Sequence, residues 1–174
     1  MSPESPPPTP DEDAPQARYV DDILELVGMV ELEDVYLWEE RGRRITETAT
    51  EEDAEPRIRN VLNVADRNDA LGVGFRFRMV ADDRHGNEFL ADFQAQYGLP
   101  EPLTLSDEVR AEFAERVAFF TVYPYLRASI QMTASRMGVP APVLAIVRAG
   151  DFKLGTQMAD ADAVAEFNDT TPEG

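Results

Sequence analysis

Val73-Gly74-Phe75-Arg76-Phe77-Arg78-Met79-Val80 is the stretch that decides the fold. Val73, Phe75, Phe77 and Met79 alternate with Gly74, Arg76, Arg78 and Val80, the period of two that belongs to a strand. One face is apolar and the other, with two arginines, is expected to be wet. Asp82-Asp83-Arg84-His85-Gly86-Asn87 then reads as a hairpin loop, because Gly and Asn tolerate positive φ. Past it, Phe89, Ala91, Phe93, Ala95 and Tyr97 fall on one side of a second strand, and Leu90, Asp92, Gln94 and Gln96 on the other. Long strands joined by a short turn pair antiparallel.

Upstream the same period returns twice. Leu32, Asp34, Tyr36 and Trp38 fall on one face of a strand, with Val35 and Leu37 on the other. Residues 57–66 form another strand, with Ile58, Leu62 and Val64 on one side. The linker between, Ile45 to Glu55, is charged and Thr-rich and reads as a loop. Before the first strand, Tyr19 to Val30 carries Ile23, Leu26, Val27 and Val30 at helical spacing. Asp21 and Asp22 suit the start of a short helix that ends near Gly28.

Downstream, Gly98-Leu99-Pro100-Glu101-Pro102 closes the sheet, since prolines cannot continue a ladder. Ser106 suits an N-cap, with Asp107 and Glu108 in the first turn and Val109, Phe113, Val117 and Phe120 as the apolar stripe. Pro124 fits the first turn of a second helix, in which Leu126, Ile130, Ala134 and Met137 repeat on one face. Gly138 is its expected stop and Pro140 prevents continuation. Val143 to Val147 is expected to be a short extended piece. Four strands followed by two helices, with a short helix in front, define an α+β fold.

The chain has 174 residues, enough for one domain with a core. Its 34 acids against 16 bases give a net charge of −18, which repels nucleic acid and anionic lipid and favours basic partners. A soluble protein with an acidic surface accounts for the same number. The absence of cysteine excludes disulfides, thiolate zinc sites and cysteine nucleophiles. The N-terminus has no basic-then-apolar signal, and no apolar run approaches membrane-spanning length, so the chain is expected to be cytoplasmic. Residues 1–17 hold six prolines among acids and are expected to be a disordered arm; an SH3-type ligand is the other reading of such prolines. Residues 18–158 form the expected domain, and 159–174 an acidic flexible tail.

No catalytic chemistry is written in the chain. His85 is the only histidine and lies in the hairpin loop, where a solvated turn residue is the simple reading. Asp82, Asp83 and His85 offer oxygen and nitrogen to a divalent ion but lack calcium-loop spacing. Gly72-Val73-Gly74 lacks the third glycine and the following helix of a dinucleotide site. Acid pairs such as Glu39-Glu40 and Glu51-Glu52 are common in so acidic a chain. Neither an enzyme nor a required cofactor or metal is expected, and a binding protein is the better class.

Phe89-Leu90 followed by Gln94, then Tyr123-Pro124-Tyr125-Leu126-Arg127, Ser135-Arg136-Met137-Gly138 and the prolines Pro140 and Pro142, in this order, resemble the SecB family of export chaperones across residues 30–154. The resemblance implies a holdase with a four-stranded antiparallel sheet followed by two helices, assembled as a dimer of dimers. It implies that non-native chains lie in apolar grooves between the sheet, the crossover loop and the second helix, with Phe93, Tyr97, Leu99, Tyr123 and Pro140 as candidate groove residues. It further implies partners: the translocation motor SecA for secretory members, or an antitoxin for relatives within toxin–antitoxin systems. Asp34, Leu90 and Asp92 match the family's motor-docking positions, although Trp38 replaces the second acid of the first strand. Phe152 matches part of the family's ending. Val109, Phe113 and Val117 exceed what one thin sheet covers and match the helix that the family buries between dimers. The helix before the first strand and the shifted acids look more like the toxin–antitoxin relatives. A scaffold that keeps this fold without client binding is the competing reading.

Overall fold

A computed structural model describes residues 17–45 and 57–148. The hairpin read from the sequence is its centre: β4 (Gly72–Asp82) and β5 (Asn87–Gly98) pair antiparallel, with Phe77 opposite Phe93 and Phe75 opposite Ala95. β2 (Glu31–Arg44) adds to the free side of β5, and β3 (Arg57–Asp66) to the free side of β4. The order β2-β5-β4-β3 leaves β2 and β3 as the edges of a four-stranded antiparallel sheet. The turn differs in one detail. Positive φ falls on Arg84 and Gly86, and not on Asn87. Asp82 accepts from the Arg84 amide (2.7 Å), and Asp83 from the amides of His85 (2.8 Å) and Asn87 (2.9 Å), so side-chain hydrogen bonds hold Arg84 there. His85 is exposed in this turn.

β2 is longer than its pattern suggested and changes phase twice, at register shifts between Leu32 and Asp34 and between Leu37 and Glu39. Leu32 opposes Tyr97 and Leu37 opposes Phe93, on the core side, while Asp34 and Tyr36 oppose Gln96 and Gln94 on the outer side. Leu32 therefore parts from the face it was expected to share. Bulges reset a period-two pattern, and no local residue signal announced them.

Helices cover one face only. α2 (Asp107–Phe113) begins at Ser106, whose Oγ accepts the Val109 amide at 3.1 Å. A π-helical turn, Ala114–Ala118, joins it without a break to α3 (Phe119–Met137), and Gly138 caps α3 at φ 69°. The two expected helical segments thus form one continuous rod, and Pro124 lies inside α3, exposed, and not in a first turn. Within the π turn the Phe119 amide reaches the Ala114 carbonyl five residues back. Phe113 packs on Phe75 (5.2 Å between ring centres) and Phe119 on Phe77 (5.6 Å). Leu126, Ile130 and Ala134 bury the rest of the rod. Each such large side chain contributes about 1.5–3 kcal/mol relative to exposure.

The three residues matched to an interface between dimers pack within the single chain to different degrees. Phe113 is 0% exposed in the single chain and Val109 nearly so, while Val117 packs half-buried against the same core. Phe75 of β4 and Tyr97 of β5 enclose Phe113, while Val117 and Phe120 of the same stripe stay partly exposed.

In front of the sheet, β1 (Arg18–Val20) runs parallel to β6 (Leu103–Leu105), a small ladder the sequence did not reveal. Tyr19 and Val20 belong to it and not to the helix. α1 (Ile23–Met29) starts after Asp22, whose carboxylate accepts the Leu24 amide at 2.7 Å, and buries Leu26. The segment 143–147 forms no strand; Leu144 is buried and Val143 and Ile146 are exposed. Most of the expected arm and loop, Phe152 and the acidic tail lie outside the described residues.

Candidate functional site

Two surfaces flank the edge strand β2. On the helix side, β2 and α3 form a shelf. Leu37 stands opposite Phe93 in the ladder, and the Phe93 ring lies 5.9 Å from that of Tyr125 on α3. Leu37 is 49% exposed and Tyr125 48%, with Phe93 as the covered floor between them. Met132, two turns along α3 from Tyr125, and Leu32 on β2 are also half-exposed. The shelf ends in a polar clamp. Glu40 of β2 accepts the Ser129 hydroxyl at 2.6 Å and pairs with Arg136. These contacts, Ser129 first and then Arg136, hold the Glu40 carboxyl below its ordinary range despite partial desolvation. Gly42 lets α3 approach β2 closely: a Cβ there would overlap Met137 Sδ and stand 2.6 Å from Thr133 Cγ2.

Of the expected groove residues, Phe93 alone lies in this shelf. Tyr97 is buried, packs edge-on against Phe113 (5.0 Å) and shares a 2.8 Å hydrogen bond with Thr121, so it belongs to the core. Burial raises its phenol pKa. Leu99 packs half-buried against the core. Tyr123 stacks on Phe119 (5.2 Å), and its hydroxyl donates to the Ala145 carbonyl, which ties the segment after Pro140 to α3. Pro140 is exposed beyond Gly138. Leu37 and Tyr125 were missed as a pair. Leu37 reads as an ordinary strand residue until the register places it opposite Phe93.

The outer face was expected to be wet, but its β4 and β5 positions are largely covered. Leu90 is buried, and Asp92 is 0% exposed. Arg76 grips Asp92 with two hydrogen bonds (2.8 and 2.7 Å), and Arg78 adds a third (2.9 Å) and reaches Glu39 at 3.0 Å. The Arg76 guanidinium also lies 4.2 Å from the Trp38 ring centre, and Trp38 donates to Gln94 at 3.0 Å. Asp34 is exposed and caps its neighbour's amide, that of Val35 (2.8 Å). The three candidate docking residues are therefore one exposed acid, one buried leucine and one buried, neutralised acid.

No cluster of potential metal ligands occurs among the described residues. No helix among them is long and apolar enough to cross a membrane.

Sheet, rod and shelf together define an α+β protein with an accessible apolar ledge between an edge strand and a long helix. No family model matches the chain. It is 34% identical over 142 residues to the SecB-like chaperone SmegB of Mycolicibacterium smegmatis, covering 82% of this chain and 92% of that protein. The fold matches that of the Mycobacterium tuberculosis Rv1957 SecB-like chaperone, solved in complex with a ChAD peptide from the HigA1 antitoxin. That match has a TM-score of 0.57 and 16% identity, and covers 72% of this chain and 92% of the other. The chain belongs to the SecB-like chaperone family.

Proposed function

We propose that this chaperone is a holdase that takes apolar segments of non-native polypeptide on the Leu37–Phe93–Tyr125 shelf, with an antitoxin as its client. The shelf carries the proposal: half-exposed large apolar side chains, contiguous across strand and helix, are costly to leave in water without a partner. The antitoxin class is supported by the peptide bound to the structural relative. Export through SecA is the weaker role, because Asp92 is occupied by Arg76 and Arg78 and offers no free carboxylate to a motor. Assembly as a homotetramer, which the family suggests, would use surfaces other than the buried Val109 and Phe113.

Light scattering of a chemically denatured reporter tests the proposal. Near-stoichiometric amounts of the protein are expected to suppress aggregation, and a co-expressed antitoxin to remain soluble. Failure with both, at large excess, would favour the scaffold reading.

A further inference from the structure

The unit in front of the sheet presents an apolar face of its own. α1 is anchored through Leu26, which is fully buried, and its start is fixed by the Asp22 cap and by the pairing of β1 with β6. On the side away from Leu26 stand Leu24, 78% exposed, and Val27, 45% exposed, one turn apart. Gly28 completes that face, and a Cβ built there would meet nothing within 4 Å. A lone exposed leucine needs no explanation; two large apolar residues held together on an anchored helix and rimmed by charge mark a contact surface.

The rim is acidic. Residues 1–34, a fifth of the chain, hold ten acids and one base, Arg18, and so carry half of the net charge of −18. Arg18 is engaged by Glu25 and Glu101. Asp21 and Glu31 are exposed and form no ion pair with a described residue. The Ser106 amide donates to the Val20 carbonyl at 3.0 Å, which brings the start of α2, with exposed Asp107 and Glu108, to the same end of the molecule. Arg110 of α2 is held by Asp66 through two hydrogen bonds (2.7 and 2.8 Å). The stretches outside the described residues do not offset this charge: 1–16 hold four acids and no base, 46–56 five acids and no base, and 149–174 six acids and one lysine.

We propose that the Leu24–Val27 face of α1 is a docking site for a basic amphipathic segment of a partner protein. Charge decides among the possible occupants. A second copy would bring the same acidic fifth of the chain, and residues 1–16 of the chain itself are acidic too, so like charges oppose both. Nucleic acid and anionic lipid are repelled in the same way. A helix with apolar residues at i and i+3 or i+4 matches the one-turn spacing of Leu24 and Val27, and lysines or arginines at its edges would face Asp21, Glu31 and the start of α2. Gly28 lets its backbone come close. The face shares no residue with the Leu37–Phe93–Tyr125 shelf, so the site does not rest on client holding.

Fluorescence anisotropy of a labelled peptide with leucine and lysine at amphipathic helical spacing tests the site, with oligolysine as a probe of charge alone. The amphipathic peptide is expected to bind saturably and to weaken as salt rises. Leu24→Ser with Val27→Ser is expected to weaken it tenfold or more with unchanged circular dichroism, since neither side chain is buried. Asp21→Asn with Glu31→Gln is expected to weaken it and to flatten its salt dependence. Leu37→Ser with Tyr125→Ser, at the shelf, is expected to cost less affinity than the α1 pair. No saturable binding by the wild type, oligolysine bound as tightly, or a loss in the shelf pair equal to or greater than that in the α1 pair would overturn the proposal.

Discussion

Ser129 on α3 donates a hydrogen bond from its hydroxyl to Glu40 on β2 at 2.6 Å, and Arg136, two turns further along the helix, closes on the other carboxylate oxygen. One side chain of the edge strand is thereby fixed by two of the helix, next to the apolar shelf. The folded pKa of Glu40 lies below its ordinary value. Its contribution is therefore present above the unfolded pKa and is lost as pH falls through the lower, folded one.

Glu40→Gln is expected to lower stability by about 1–3 kcal/mol at neutral pH, the usual range for a charge-assisted hydrogen bond. The difference from wild type should shrink as pH falls below the ordinary carboxylate range. Urea midpoints of the two proteins across that range measure it. A difference as large in acid as at neutrality would contradict the assignment.

Asp92 behaves as a structural counter-ion. Asp92→Asn leaves Arg76 and Arg78 facing each other without a charge between them, and Arg78 is itself buried. Breaking such a buried pair costs about 3–5 kcal/mol. Asp34→Asn, at an exposed site, should change stability by about 0.5 kcal/mol or less. Denaturant melts of both variants test the contrast; a docking role alone would leave both melts unmoved.

The hairpin, the α+β order and the Ser106 and Gly138 caps were legible because each is local: a period, a turn or a capping residue. What escaped the sequence depends on distant pairing. The first bulge in β2 carries Leu32 to the side of Leu37, and only the pairing with β5 reveals it. Likewise, Arg76 and Arg78 look like a wet face until Asp92, on the next strand, is set between them. Tyr97 has the same composition signal as a groove aromatic, and only Thr121 and Phe113 around it place it in the core. Arg18–Val20 is too short for a pattern and pairs with residues more than 80 positions away.

Phe113 separates folding from assembly. Because its ring is enclosed by Phe75 and Tyr97 of the same chain, Phe113→Asp should unfold the protein and not merely release intact subunits. Phe113→Ala should cost about 3–5 kcal/mol. Sedimentation combined with circular dichroism distinguishes the outcomes: well-folded smaller species would return Phe113 to an interface.

The shelf and the core give opposite responses to truncation. Leu37 and Tyr125 keep about half their surface in water, so Leu37→Ser and Tyr125→Ser forfeit little burial on folding. A client would lose their full contact, about 1–3 kcal/mol each, or tenfold and more in affinity. Tyr97→Phe does the reverse: it removes the hydrogen bond to Thr121 inside the core, costs about 1 kcal/mol of stability and leaves client affinity unchanged. Titration of a labelled non-native client, beside melts of the three variants, reads both axes. If the two shelf variants hold client as the wild type does, the binding surface lies elsewhere.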